Sequence, residues 1–187
     1  MIRISLALCL ALGPIACAHT ADNAEPERRF VQTVYNRPQT ETFVRSTRHL
    51  SGTIVSNSET ITYRADVAPD ELIPSIEISA NVRGQTIKRT YPLNNKTMPM
   101  IPGSTALLEQ ILRRAKVVGG DTISIPTLLL GLHPMPNVMT VIGNGPDSLM
   151  MLDRTWDTKM AFHLAIDSAW HITGGIIPVD RLTIQPM

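Results

Sequence analysis

His163 and His171 lie near Asp153, Asp157 and Asp167, and a neutral imidazole beside a carboxylate can hold a metal or move a proton. The spacing argues against one shared site. If Asp167 to Trp170 forms a four-residue loop between two strands, Ile166 pairs with His171. Alternation then places His171 on the face of Leu164 and Ile166, with His163 on the opposite face. A one-residue change of register would reverse this assignment. Two unrelated strand histidines, one of them beside a turn, is the preferred reading.

Methionine offers a second chemistry. Met98-Pro99-Met100 and His133-Pro134-Met135 read as loops carrying thioethers, and Met150-Met151 as part of a strand. Soft thioethers select Cu(I), but methionine also fills irregular cores and lines adaptable apolar pockets. The pocket is favoured over the metal. Nucleophilic catalysis has less support. The sequence holds no Gly-x-Ser-x-Gly elbow and no Ser-x-x-Lys, and Ser104 and Ser148 stand where a helix start and a turn explain them. No catalytic residue, no metal ligand and no cofactor is therefore expected. Gly143-Asn144-Gly145 sits between strands, where a turn and not a phosphate cradle belongs.

The elements that must position these residues are mostly strands. Ile76, Ile78, Ala80 and Val82 interleave with Ser75, Glu77, Ser79 and Asn81, the period of a half-buried strand. Ile61, Tyr63 and Ala65 alternate in the same way. Weaker alternation occurs around Phe30 to Tyr35, Thr42 to Thr47 and Gln85 to Tyr91, with turn residues between. Ser104 to Val118 differs. Leu107, Leu108, Ile111, Leu112 and Ala115 form one helical face, and Glu109, Gln110, Arg113, Arg114 and Lys116 the other. Ser104 is the expected N-cap and Gly119-Gly120 the expected stop. Asn94 to Gly103 reads as a loop crossing the sheet. Strands are expected again at Thr122 to Leu130, with Pro126 marking an edge or bulge, and at Val138 to Ile142 and Ser148 to Leu152. Met160 to Ile166, His171 to Ile177 and Leu182 to Ile184 complete the series.

The fold class expected is mainly β (α+β): a curved antiparallel sheet or half-barrel of roughly ten to twelve strands with one amphipathic helix packed across it. The N-terminus reads as an export signal. Arg3 precedes an apolar run from Ile4 to Leu12, and Ala16-Cys17-Ala18 offers small residues for cleavage after Ala18. Lipid attachment at Cys17 is the lesser reading, because Pro14-Ile15-Ala16 departs from the Leu-rich box that such cleavage follows. The run is too short to span a bilayer. Residues 1–18 are then signal peptide, 19–28 a disordered lead-in and 29–187 a single β-rich domain, periplasmic or secreted. Cys9 and Cys17 are the only cysteines, so the mature domain would carry no disulfide. Without Arg3 it has 16 basic and 16 acidic side chains, and no basic stripe for nucleic acid. An aromatic content of 4% also argues against a carbohydrate groove or a base-stacking surface.

The stretch from Ser104 to Ala115, then Gly119-Gly120-Asp121, the two hairpins and Gly174-Gly175, resembles uncharacterised exported bacterial proteins, over roughly Pro102 to Ile184. More loosely, a curved sheet wrapped round a helix is similar to the periplasmic lipoprotein-carrier fold. That architecture implies an apolar concavity, and no established activity comes with it. The working expectation is binding or carriage of an apolar or lipid-like ligand, lined by Leu107, Leu108, Ile111, Leu112, Met100 and Met139. A structural or interaction protein of the cell envelope is the alternative, so the expected partner is an apolar small molecule or lipid, or else an envelope protein. A hydrolase or metal-binding protein ranks below both.

Overall fold

The structure is a computed structural model of the chain, and it describes residues 22–34, 37–117, 119–131, 133–143, 148–153, 160–177 and 182–187. The expected signal peptide, both cysteines, the turn at 144–147 and Asp157 lie outside the described residues. Among the described residues thirteen strands are formed. The first six are β1 (Arg28–Val34), β2 (Arg37–Arg45), β3 (His49–Val55), β4 (Glu59–Asp66), β5 (Ser75–Val82) and β6 (Gln85–Pro92). A short β7 (Met98–Met100) precedes the helix α1 (Thr105–Ala115). After it come β8 (Thr122–Leu129), β9 (Met135–Gly143), β10 (Ser148–Asp153), β11 (Met160–Ile166), β12 (Ile172–Ile177) and β13 (Leu182–Pro186).

The strands form one sheet in the order β6-β5-β4-β3-β2-β1-β13-β12-β11-β10-β9-β8-β7. Neighbours are antiparallel except β7 and β8, which run parallel. The terminal strands β1 and β13 meet in the middle, so the two halves of the chain are joined through Phe30 opposite Pro186 and Gln32 opposite Ile184. The outermost strands β6 and β7 do not pair, and the sheet stays open. They still approach one another, because Tyr91 on β6 donates its hydroxyl to the carbonyl of Gly131, just beyond β8 (2.9 Å).

Alternation along each strand sends one set of side chains to an inner face. Phe30, Phe43, Leu50, Tyr63, Ile76, Met139, Leu164 and Ile184 all point there, and all are buried in one cluster with the helix. The helix bonds to β1, β2 and β12 and also touches β7 and β8. Strands that far apart in the order reach one helix only if the sheet curves round it.

The expected mainly β architecture with one helix on an open antiparallel sheet is found, and two of its strands, β3 and β7, are ones the sequence pattern did not reveal. Several expectations are corrected. Gly52 breaks the apolar alternation of β3, and Pro99 disguises β7, whose three residues are all buried. The segment from Asn94 to Gly103 is therefore not purely a crossing loop. Pro126 lies inside a continuous register with Val138, one residue short of where β7 covers β8. It occupies the uncovered part of that side, where a missing N–H leaves no gap in the ladder. The helix ends at Ala115, with Lys116 in the left-handed conformation (φ 48°) donating its N–H to the Leu112 carbonyl, and not at Gly119-Gly120.

Candidate functional site

Glu41 stands at an inward position of β2, fully buried, directly beneath the first turn of α1. Its Oε1 accepts hydrogen bonds from the hydroxyls of Tyr63 and Ser104, both at 2.7 Å. Its Oε2 accepts from the backbone N–H groups of Thr105 and Ala106. These amides are among the donors that a helix start leaves without intrahelical partners, so the carboxylate completes the cap that the Ser104 side chain begins at Leu107 N–H. Burial pushes the carboxyl up to about 7, against the pull of those donors. Burial first, then Glu41 itself, also holds the Tyr63 phenol well above its usual range.

The loop before the helix is fixed by Gln32, whose amide donates to the Gly103 carbonyl and to Thr105 Oγ1, both at 2.7 Å. Gly103 has φ 81°, and a Cβ there would lie 1.8 Å from Gln39 Nε2. The backbone conformation favours glycine, and a side chain there would also have to displace the Gln39 amide.

Two residues of the helix's polar face, Glu109 and Gln110, are buried, while Arg114 and Lys116 on the same face are exposed. Glu109 (1% exposed) accepts from Arg28 and from the backbone N–H of Ile172 (2.7 Å). Arg28 in turn lies over the rings of Phe30 and Phe43, with centroid distances of 4.9 and 5.6 Å. Burial raises the Glu109 carboxyl, outweighing Arg28 beside it. Arg45 donates to Gln110 Oε1 and to Glu71, and Gln110 donates to the Glu71 carbonyl. The helix is thus clamped by polar side chains as well as by its leucines.

Glu25 gathers Arg45, Arg113 and His171 at the C-terminal end of the helix. Burial works to raise its pKa, but Arg113, His171 and Arg45 together outweigh that and hold it low. His171 also faces Asp167 at 2.8 Å. The loop between β11 and β12 is one residue longer than expected. Asp167 N–H donates to the His171 carbonyl, Ile166 pairs with Ile172, and the register shifts between Ala165 and Ile166. The Asp167 carboxylate holds this wider turn by accepting from the N–H groups of Ala169 and His171. His163 is exposed on the outer face, so the two histidines are separated.

Glu41, Tyr63 and Ser104 have the composition of an acid–base centre, yet all three are buried and bonded to one another. Their arrangement anchors a helix. No group of three or more metal-ligating side chains occurs among the described residues. Met98 and Met100 are core residues, whereas Met135 and His133 are exposed. Leu107, Leu108, Ile111, Leu112, Met100 and Met139, the expected ligand-lining set, are all buried in the packed cluster. For Met150, Met151 and Asp153 the backbone position in β10 is described and the side chains are not.

The helix leaves part of the inner face uncovered. An 11-residue helix is about 16 Å long, too short and too narrow to cover a sheet of this width. Beside it, one cross-strand row runs Ile54, Ile61, Ala80, Ile87 over β3 to β6. Exposure rises along the row, from 3% at Ile54 to 37% at Ile87. Ile78 and Val82 adjoin it on the same face, and Ile61 and Ile78 pack against the core. Glu59 and Gln85, on either side of Val82, form a polar border. The alternation that carries Ile61, Ala80 and Ile87 is legible in the sequence and that of Ile54 is not, and the expected place for the ligand was between helix and sheet.

The sequence matches no family model and no curated protein. In structure it is similar to a DUF1089 family protein from Pseudomonas aeruginosa, known from a crystal structure, with a TM-score of 0.66 at 10% identity, covering 72% of this chain and 87% of that one. The likeness is one of fold. It agrees with the expected resemblance to uncharacterised proteins, while a link to lipoprotein carriers is not part of it.

Proposed function

We propose that this is an exported binding protein that holds an apolar, lipid-like ligand on the aliphatic strip from Ile54 to Ile87. The observation that carries the reading is that strip: an apolar row continuous with the core, half open, beside a helix too firmly clamped to cover it. It is a single side-chain row wide and spans four strands, about 14 Å at the usual strand spacing. A narrow apolar row with a polar border suits one alkyl chain better than a protein surface. The six expected lining residues form the packed layer behind it. Export rests on the N-terminal pattern of basic residue, apolar run and small-residue cleavage site.

The test is native mass spectrometry of the protein from His19 onward, recovered from the periplasm, with organic extraction of what it carries. A bound lipid is expected, and Ile61→Asn combined with Ile87→Asn should weaken its binding about tenfold, since the two aliphatic contacts are worth roughly 1–2 kcal/mol together. A mass without ligand that stays unchanged after incubation with lipids would sink the reading. The alternative, an interaction protein, draws on β6, an edge strand of eight residues that is exposed nearly throughout. Lys88, Arg89 and Pro92 blunt that edge against pairing, which makes it the weaker reading.

A further inference from the structure

The outer face of β2 to β5, opposite the helix, carries a trough of about 410 Å³. Its floor is open because the residues there are small. Thr42, Thr53, Thr62 and Ser79 succeed one another across four strands, and Ser51 and Gly52 lie beside them. Arg64 stands over this floor, next to Ser51 on one side and Glu77 on the other. Glu77 is the obvious partner for Arg64, but it is ion-paired with Lys88 at 3.0 Å. The Arg64 side chain is exposed at the trough and forms no salt bridge among the described residues, which leaves a planar fork of donors beside a field of hydroxyls.

We propose that this trough binds a small hydroxylated anion, with a carboxylate or phosphate group on Arg64 and its hydroxyls on Ser51, Thr53 and Thr42. The volume falls within the range of ordinary small-molecule sites and would be filled by a molecule of sugar-acid or polyol-phosphate size. Side-chain hydroxyls both donate and accept, so they match a ligand that carries hydroxyls of its own. The guanidinium is the one cation in the lining, which also holds the carboxylates of Glu27 and Glu77, and the Lys88–Glu77 pair keeps Glu77 from neutralising it. This site is on the opposite face from the aliphatic strip and does not depend on it.

The experiment is amide ¹H–¹⁵N titration of the mature protein with gluconate, glycerol 3-phosphate and inorganic phosphate in separate arms. Saturable shifts confined to residues 51–53, 62–64 and 77–79 are expected with gluconate, with glycerol 3-phosphate, or with both. Binding of one alone identifies the anion as carboxylate or phosphate, and binding of both shows that Arg64 accepts either. Inorganic phosphate, lacking the hydroxylated body, should bind more weakly than either. Arg64→Ala, an exposed truncation whose fold is checked by circular dichroism, should weaken binding about tenfold. Glu77→Gln should strengthen it roughly threefold by removing the neighbouring negative charge. Shifts that never saturate, an Arg64→Ala protein that binds as well as the parent, or a Glu77→Gln protein that binds less well would each overturn the proposal.

Discussion

Glu41→Ala is expected to destabilise the protein by about 4 kcal/mol, more than most single changes. The carboxylate is the shared acceptor for Tyr63, Ser104, Thr105 and Ala106, and all four donors sit in the interior. Alanine would leave them facing a void that can offer no acceptor, and each orphaned donor costs about 1–3 kcal/mol before relaxation. The first turn of α1 would lose the acceptor for Thr105 and Ala106 N–H together with its link to β2 and β4, keeping only the Ser104 part of its cap. Urea unfolding of the variant measures this directly. A loss under about 1 kcal/mol would show that the helix start is held by its leucines alone.

Glu41→Gln separates charge from shape. An amide can still accept from the two backbone N–H groups through its oxygen, while its nitrogen donates to Tyr63 and Ser104 if those hydroxyls turn round. It is the neutral stand-in for the protonated acid. The sign of its pH effect follows from the raised pKa. A carboxyl at about 7 in the folded state and 4.5 otherwise contributes stability that is complete below 4.5 and lost as pH rises through 7. The expected loss is about 3 kcal/mol over that interval. Glu109, raised by burial, adds a loss of the same sign, while Glu25 and Asp167, both held low, contribute stability that disappears as pH falls through their folded-state values. The parent should therefore be most stable in mildly acidic solution. Glu41→Gln should keep the acid limb and flatten much of the fall between pH 5 and 8. If the two proteins trace parallel curves of melting temperature against pH, the Glu41 carboxyl does not titrate in that interval.

The elements that depend on local pattern were legible in the sequence, and the clamp was not. Ile76, Ile78 and Tyr63 face inward as their alternation requires, and Leu107, Leu108, Ile111 and Leu112 are buried as helical spacing requires. Glu109 and Gln110 violated the same logic because their partners are remote. Arg28 lies 81 residues from Glu109, and Arg45 lies 65 from Gln110. Nothing within one helix records such partners. A faint signal did exist in β2, where Gln39, Glu41, Phe43 and Arg45 share one parity. Charged residues interleaved with an inward phenylalanine mark a strand that faces a polar object, here the helix start. The strip on β4 to β6 was visible as alternation, but its exposure depended on where the helix ends.

Gly52 shows how a residue that hid a strand is also one that the clamp needs. It sits opposite Tyr63 across β3 and β4, and the tyrosine lies over the place where a side chain would be. A Cβ at Gly52 would lie 2.3 Å from the Tyr63 hydroxyl oxygen, 2.5 Å from Cζ and 2.9 Å from the Phe43 Cβ. None of these neighbours gives easily. The Tyr63 hydroxyl is bonded to Glu41, and Phe43 is stacked on Phe30 at 5.8 Å. Gly52→Ala is therefore expected to cost about 3 kcal/mol by overpacking, despite alanine being the better strand former on backbone grounds. Tyr63→Ala should cost about 4 kcal/mol through the cavity it opens. The double variant is the decisive one. With the ring gone the new methyl has room, so the pair should cost less than the two single changes added, by about 2 kcal/mol. Strict additivity in chemical denaturation would mean that the methyl is accommodated by backbone movement in β3, and that Tyr63 is not held against Gly52 by Glu41.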